Sequence, residues 1–397
     1  MRNLREKLNA IAGSPKRTSN SVSPTGSVYC EEHRVPLTDL NGIAESTIEE
    51  IQACDPAFRG TDWQIERLLF LDTETTGLSG GAGTYAFEIG AGVIENGFLC
   101  VKQYVMLDYP QEKQMLSAIV EAMKTHDTIV TFNGKSFDIP LLESRMTMCG
   151  IRTQITRLPH LDLLHVCRRI YKLRLQKCNL QTLERVILGQ QRKDDLPGSE
   201  APTRYMAYQK TGEFGLVKDV LRHNLDDVVS LAKLTGHVAA VFRSPLSLTE
   251  AKDIYSVGKV LEKGGHMEAA RRCYRILSFS SMGSAARFRL AKGYKKEKDW
   301  KETLSLCRRM IEDGQNGVWP YIELAKYYEH VEKNYDEALS CAAKGLNYLL
   351  NRLPSGGNDY ETETEQIRRR IERLLQKKES RGLNEPWRKL DRAEGPG

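Results

Sequence analysis

The chain has 397 residues, 40% of them hydrophobic and 28% charged, which is enough for two globular domains with flanking arms. No apolar stretch is long enough to span a bilayer and no secretory leader is readable at the N-terminus, so a cytoplasmic protein without membrane contacts is expected. A net charge of +6 points to no partner by itself, and nine scattered cysteines without a Cys-x-x-Cys pair argue against a disulfide framework or a zinc ribbon.

Residues 1–60 begin with a short basic helix candidate and pass into a Ser-, Pro- and Gly-rich stretch, which predicts a flexible N-terminal arm. Within it, Cys30-Glu31-Glu32-His33 has the spacing of two metal ligands but no second pair nearby, and it reads as an ordinary surface loop. Apolar runs over 68–71, 86–94 and 99–107 predict three strands, the last two joined by Glu95-Asn96-Gly97, a strong hairpin signal. A helix over 111–124, a strand over 128–132 and a helix from about Ser136 follow. Further helices are expected over 161–171, 180–188 and 214–242, with a turn-rich break at 194–198. Hairpins and crossovers therefore mix in one α/β sheet flanked by helices, spanning residues 61–245, and Pro245 marks the boundary.

Residues 246–353 are all helical in pattern and repeat. Gly258, Ala291 and Ala325 fall in equivalent small-residue positions, as do Leu261, Tyr294 and Tyr328, then Met267, Trp300 and Tyr335, then Ala270, Thr303 and Ala338. Small residues let paired helices approach and aromatic ones fill the gap between units, so the region resembles a short tetratricopeptide array, although the signature prolines are mostly missing. Residues 354–397 predict a charged helix and a tail.

The chemistry begins at Asp72-Thr73-Glu74-Thr75-Thr76-Gly77, directly after Leu68-Leu69-Phe70-Leu71. Residues i and i+2 of a strand share a face, so Asp72 and Glu74 address one spot, where a divalent cation would relieve their repulsion. A second acidic motif, Asn133-Gly134-Lys135-Ser136-Phe137-Asp138, places Asp138 in a first helical turn, where the macrodipole alone also favours an acid. In the third, His223-Asn224-Leu225-Asp226-Asp227-Val228, the spacing of four puts His223 and Asp227 on one helix face. Between the second and third motifs Arg168, Arg169 and Lys172 belong to a basic stretch that tracks a phosphate backbone or forms a solvated helix face. Phe87, Phe132 and Phe137 are candidates for stacking on a terminal base, with burial in the core as the commoner fate. Asp162 reads as a structural acid near a helix start, and the Gly80-Gly81-Ala82-Gly83-Thr84 run as a loop beside the site, since it lacks the ending of a P-loop.

The ordered set Asp-x-Glu, Asn-Gly-x-x-Phe-Asp, His-Asn-x-x-Asp-Val resembles the DEDD superfamily of ribonuclease-H-like 3′–5′ exonucleases. The fuller strings around Asp72 and Asp138 are similar to its YprB-type branch. The resemblance implies a ribonuclease-H-like domain carrying a two-metal phosphodiesterase. Asp72, Glu74, Asp138 and Asp227 would be ligands of two Mg²⁺ or Mn²⁺ ions, with DNA or RNA the substrate. Beside that set, Thr75 and Asn133 next to the acids and Arg168, Arg169 and Lys172 of the basic stretch are candidate substrate contacts. One departure stands out: the superfamily has either a tyrosine four residues before the last aspartate or a histidine five before it, and here His223 takes the tyrosine spacing. His223 is then the candidate to orient or deprotonate the attacking water. The repeats would recruit a protein partner or the substrate. Two other readings stay open at this point, a catalytically silent adaptor and an endonuclease using the same metal site.

Overall fold

The strand that carries Asp72 lies inside a six-stranded mixed sheet in the computed structural model, which describes residues 28–77, 83–192, 196–351 and 358–384. The strands are β1 (Tyr29–Pro36), β2 (Leu68–Thr75), β3 (Ala86–Glu95), β4 (Phe98–Val105), β5 (Thr128–Thr131) and β6 (His160–Asp162), in spatial order β1-β4-β3-β2-β5-β6. β1 to β4 pair antiparallel, whereas β2, β5 and β6 run parallel. Having neighbours on both edges and helices over its faces, β2 buries Leu68 to Leu71 completely. A continuous apolar run is what such a strand requires.

The helices of this first unit, residues Met1–Leu248, are α1 (Ile48–Cys54), α2 (Glu112–Ala122), α3 (Asp138–Met148), α4 (Leu163–Tyr171), α5 (Leu180–Val186), α6 (Ala201–Thr211) and α7 (Gly215–Arg243). The long helix α7 packs against β2, β3 and β4. Two glycines of β3 make that approach possible: a Cβ at Gly90 would lie 2.1 Å from the Asn224 Oδ1 of α7, and one at Gly92 would lie 2.8 Å from Val228.

Two expectations are corrected. The arm predicted over 1–60 does not hold for residues 28–60, which contribute the edge strand β1, α1 and several short helical turns. Cys30-Glu31-Glu32-His33 accordingly lies in β1 and not in a loop. The third motif lies in the helix expected over 214–242: α7 begins at Gly215, so His223 and Asp227 sit well inside it. The sequence reading also missed β6 and α6. The glycine-rich run 80–84 falls largely, and the break at 194–198 partly, outside the described residues.

The second unit, Thr249–Gly397, contains helices α8 (Ala251–Gly264), α9 (Met267–Ile276), α10 (Gly283–Lys296), α11 (Trp300–Glu312), α12 (Trp319–Tyr327), α13 (Tyr335–Leu350) and α14 (Asn358–Asn384). Helices α8 and α9, α10 and α11, α12 and α13 pack as sequential pairs, and α14 packs on α13. Met267, Trp300 and Tyr335 each open the second helix of a pair, and Ala270, Thr303 and Ala338 are all buried there. Among the described residues no helix is long and apolar enough to cross a membrane. All nine cysteines are free thiols, seven of them buried.

Candidate active site

Each acid of the three motifs is delivered by a different local device. The strand period aims Asp72 and Glu74 from the end of β2, where the register with β3 shifts between Glu74 and Thr75. Asp138 opens α3 and accepts a hydrogen bond from the Thr73 hydroxyl at 2.5 Å. Asp227 comes from α7, one helical turn after His223, whose Nε2 stands 3.7 Å from Asp227 Oδ2 and 3.8 Å from Glu74 Oε1.

These acids feel one another. Burial raises the Asp72 carboxyl well above the usual range, and Asp227, Asp138 and Glu74 add to the rise, while a hydrogen bond from Asn224 opposes it. Burial, with Glu88, Asp227 and Asp138, pushes Glu74 up to about 9. Burial lifts Asp138 to about 6 against the hydrogen bond from Thr73. Asp227 is also raised by burial, but Arg192 and His223 hold it down. Such a set needs compensating positive charge.

Part of that charge is Arg192, which no local motif marks. Its Nη2 donates to Asp227 Oδ1 at 2.5 Å, its Nε donates to Glu184 Oε2 at 2.9 Å, and Nη1 stands 3.3 Å from His223 Nδ1. Glu184 is buried and also accepts from the Ser230 hydroxyl at 2.5 Å. Among the described residues no group of three or more His, Cys, Asp or Glu side chains is arranged to hold a metal ion.

A cavity of about 660 Å³ opens beside His223 and Asp227, and its wall includes Phe132, Asn133, Arg168 and Lys172, together with Lys177. Arg169 does not line it and lies 3.5 Å from Asp55 instead. Arg145 is buried against Glu112 with its guanidinium 3.8 Å from the Tyr85 ring centre. The Thr75 hydroxyl is committed to the Gly77 carbonyl at 2.7 Å, closing the turn after β2.

Asn133 takes φ of 69°, a left-handed conformation that asparagine tolerates, and its N–H donates to Asp162 at 2.9 Å. Asp162 is fully buried, caps α4 through Leu164 N–H and also accepts from Lys135 N–H, so it fixes the turn that leads to Asp138. Of the aromatic candidates, Phe87 is core, stacked on Tyr205 at 4.2 Å, whereas Phe132 lines the cavity and Phe137 is 54% exposed.

Residues 69–239 match the family model of the RNase_H superfamily, a span that contains all three acidic motifs. The chain is 33% identical over 371 residues, 88% of its own length and 86% of the relative's, to the protein of Bacillus subtilis strain 168 described as "Uncharacterized protein YprB". The chain belongs to the YprB family. An RNase H-like domain of the nuclease superfamily therefore forms its first unit, followed by a helical region. A shorter similarity, 32% over 82 residues, covers 16% of this YprB-family chain and 5% of a protein described as "DNA polymerase" from Methanocaldococcus jannaschii.

Proposed function

We propose that this YprB-family protein is a metal-dependent 3′–5′ exonuclease that hydrolyses phosphodiester bonds of nucleic acid. The observation that carries the reading is the assembly of Asp72, Glu74, Asp138 and Asp227 from three separated motifs into one partly buried, mutually repelling set beside a basic cavity. The donors fit Mg²⁺ or Mn²⁺: all are hard oxygens, their repulsion calls for cations, and the neighbouring Glu88 Oε2 is buried without a hydrogen-bond partner among the described residues. Asp72, Glu74, Asp138 and Asp227 would hold two ions, which when bound supply Lewis-acid stabilisation of the charge that develops at the scissile phosphate.

The chain's own residues do the rest. His223, between Glu74 and Asp227, orients the attacking water and accepts its proton. Arg168 and Lys172 take the phosphates of the bound strand along the cavity wall, and Phe132 and Phe137 offer faces to a terminal base. The helix pairs of the second unit, with Met267, Trp300 and Tyr335 at matching positions, support a tetratricopeptide-like array that recruits a protein partner.

The reading is tested with labelled single- and double-stranded DNA and RNA, linear and circular, in Mg²⁺ or Mn²⁺, with Asp72→Ala as control. Metal-dependent shortening of linear substrates alone is expected. Cleavage of circles would make the protein an endonuclease, and no cleavage of any substrate would remove the enzymatic reading.

Two further results are expected. Charge removal at Arg168 and Lys172 weakens binding of an oligonucleotide and reduces the slope of log affinity against log salt by on the order of 1–2 units. An unchanged slope would return both residues to a solvated helix face. The second concerns pH. Glu74 and Asp138 keep protons in the folded state to about 9 and about 6, above their unfolded values, so the folded protein in EDTA binds more protons than the unfolded chain over that window. Their contribution to stability therefore falls as pH rises from the unfolded carboxylate range through those values. The melting temperature in EDTA is expected to fall between pH 5 and about 8.5 more steeply for wild type than for Glu74→Gln. Added Mg²⁺ is expected to stabilise more as the pH rises. Parallel pH profiles for the two proteins would show that Glu74 is not strained.

A further inference from the structure

Asp72, Gly90 and Gln103 stand in one row across β2, β3 and β4: Asp72 pairs with Gly90, and Gly90 pairs with Gln103. Paired residues on adjacent strands face the same side of the sheet, and the middle one has no side chain. Asn224 of α7 fills that slot, as its Oδ1 would meet any Cβ at Gly90. From there its Nδ2 donates to Asp72 Oδ2 at 2.9 Å and to the Asp72 carbonyl at 3.3 Å. Its Oδ1 accepts from Gln103 Nε2 at 3.0 Å.

The Gln103 amide is itself anchored. The same Nε2 also lies 2.9 Å from Glu88 Oε1 and 2.6 Å from the Leu221 carbonyl, so its two hydrogens are shared among three acceptors. Gln103, Asn224 and Glu88 are 1%, 0% and 0% exposed. None of the three has been given a task in the proposed reaction. Burying a glutamine and a glutamate in a sheet core is costly, and Gln103 Oε1 and Glu88 Oε2 find no partner among the described residues.

We propose that Gln103 and Asn224 are positioning residues that fix the Asp72 carboxylate for cation binding, with Glu88 anchoring the Gln103 amide. The relay sets the direction of the Asn224 amide, since Gln103 offers it a donor and Asp72 an acceptor, so Nδ2 must face Asp72. One carboxylate oxygen is then held by Asn224, and the other stays available. Outer hydrogen bonds of this kind orient ligands and typically change affinity by about 10- to 100-fold when lost. The proposal rests on the reading of Asp72 as a cation ligand.

The test measures Mn²⁺ binding to the full-length protein without substrate, by calorimetry or the paramagnetic signal of free Mn²⁺, for wild type, Asp72→Asn, Gln103→Met, Asn224→Ala, Glu88→Gln and Glu88→Leu. Gln103→Met keeps the volume and loses the donor. It and Asn224→Ala are expected to weaken Mn²⁺ binding about 10-fold or more. Glu88→Leu is expected to do the same, whereas Glu88→Gln, which retains an oxygen acceptor for Gln103, restores binding. A merely structural role would lower the melting temperature of these variants and leave their Mn²⁺ affinity at the wild-type value, and that outcome overturns the proposal. If Gln103→Met does not fold, Asn224→Ala decides on the same readout. If wild type and Asp72→Asn bind Mn²⁺ alike, the cation reading of Asp72 itself has failed; if only Asp72→Asn is weakened, the relay alone has failed.

Discussion

Asp72→Asn is expected to lose metal-dependent hydrolysis by on the order of 10³-fold or more, with the fold and the binding of an oligonucleotide retained. The substitution keeps the size of the side chain and leaves Asn224 a carbonyl oxygen to donate to, but it removes a negative oxygen from the centre of the set. Asp72 is coupled to all three other acids, Asp227, Asp138 and Glu74, so its charge is the one they share. The same change removes a carboxylate from a half-buried, mutually repelling set, so the variant in EDTA should be at least as stable as wild type. Activity and stability therefore move in opposite directions. A variant that loses activity only because it unfolds would contradict this, as would one that retains more than about a tenth of wild-type turnover.

Arg145→Leu is expected to cost about 3–5 kcal/mol in the first unit. Arg145 on α3 and Glu112 on α2 are 4% and 8% exposed and form a forked pair, Nε to Oε1 at 2.5 Å and Nη2 to Oε2 at 2.6 Å. The Cys149 thiol also reaches Glu112, at 3.4 Å. Removing the guanidinium leaves a carboxylate buried with only weak partners, which costs more than the pair gained by forming. Replacing both residues with apolar ones should recover most of the loss. Because the chain has two units, hydrogen exchange of the α2 and α3 amides is the appropriate reading, and their protection should fall by on the order of 10²- to 10³-fold. Loss of less than about tenfold would mean that Arg145 behaves as a surface cation.

That residue illustrates what was legible in the sequence and what was not. Arg145, Arg168 and Lys172 look alike in a linear tally of positive charge, yet one is locked into a buried pair and two line the cavity. The difference depends on Glu112, which is distant in sequence. Arg192 is a similar case: it meets Asp227 only because α5 and α7 are brought together, and nothing in its own neighbourhood marks it.

Strand β2 and its two acids were readable because the information is local, an apolar run ending in same-face carboxylates. The order of the motifs then linked Asp138 and Asp227 to them. β1 was missed because an edge strand with one half-buried face, Tyr29, Glu31, His33 and Val35 alternating with exposed residues, lacks an apolar run. Two local signals mark the approach of another element to β3. Glu88 is an acid inside the otherwise apolar Ala86–Glu95 strand, and Gly90 and Gly92 weaken that strand unless another element must come close, which α7 does.

The central claim is that the four acids serve a metal-dependent enzyme acting from a 3′ end. It is tested most directly by following a 5′-labelled single strand in Mg²⁺ on a sequencing gel, beside the same reaction in EDTA and one with Asp227→Asn. A ladder that shortens one nucleotide at a time from the 3′ end and disappears in both controls is expected. Shortening that persists in EDTA, product released first at the labelled 5′ end, or an intact strand with both DNA and RNA would contradict it.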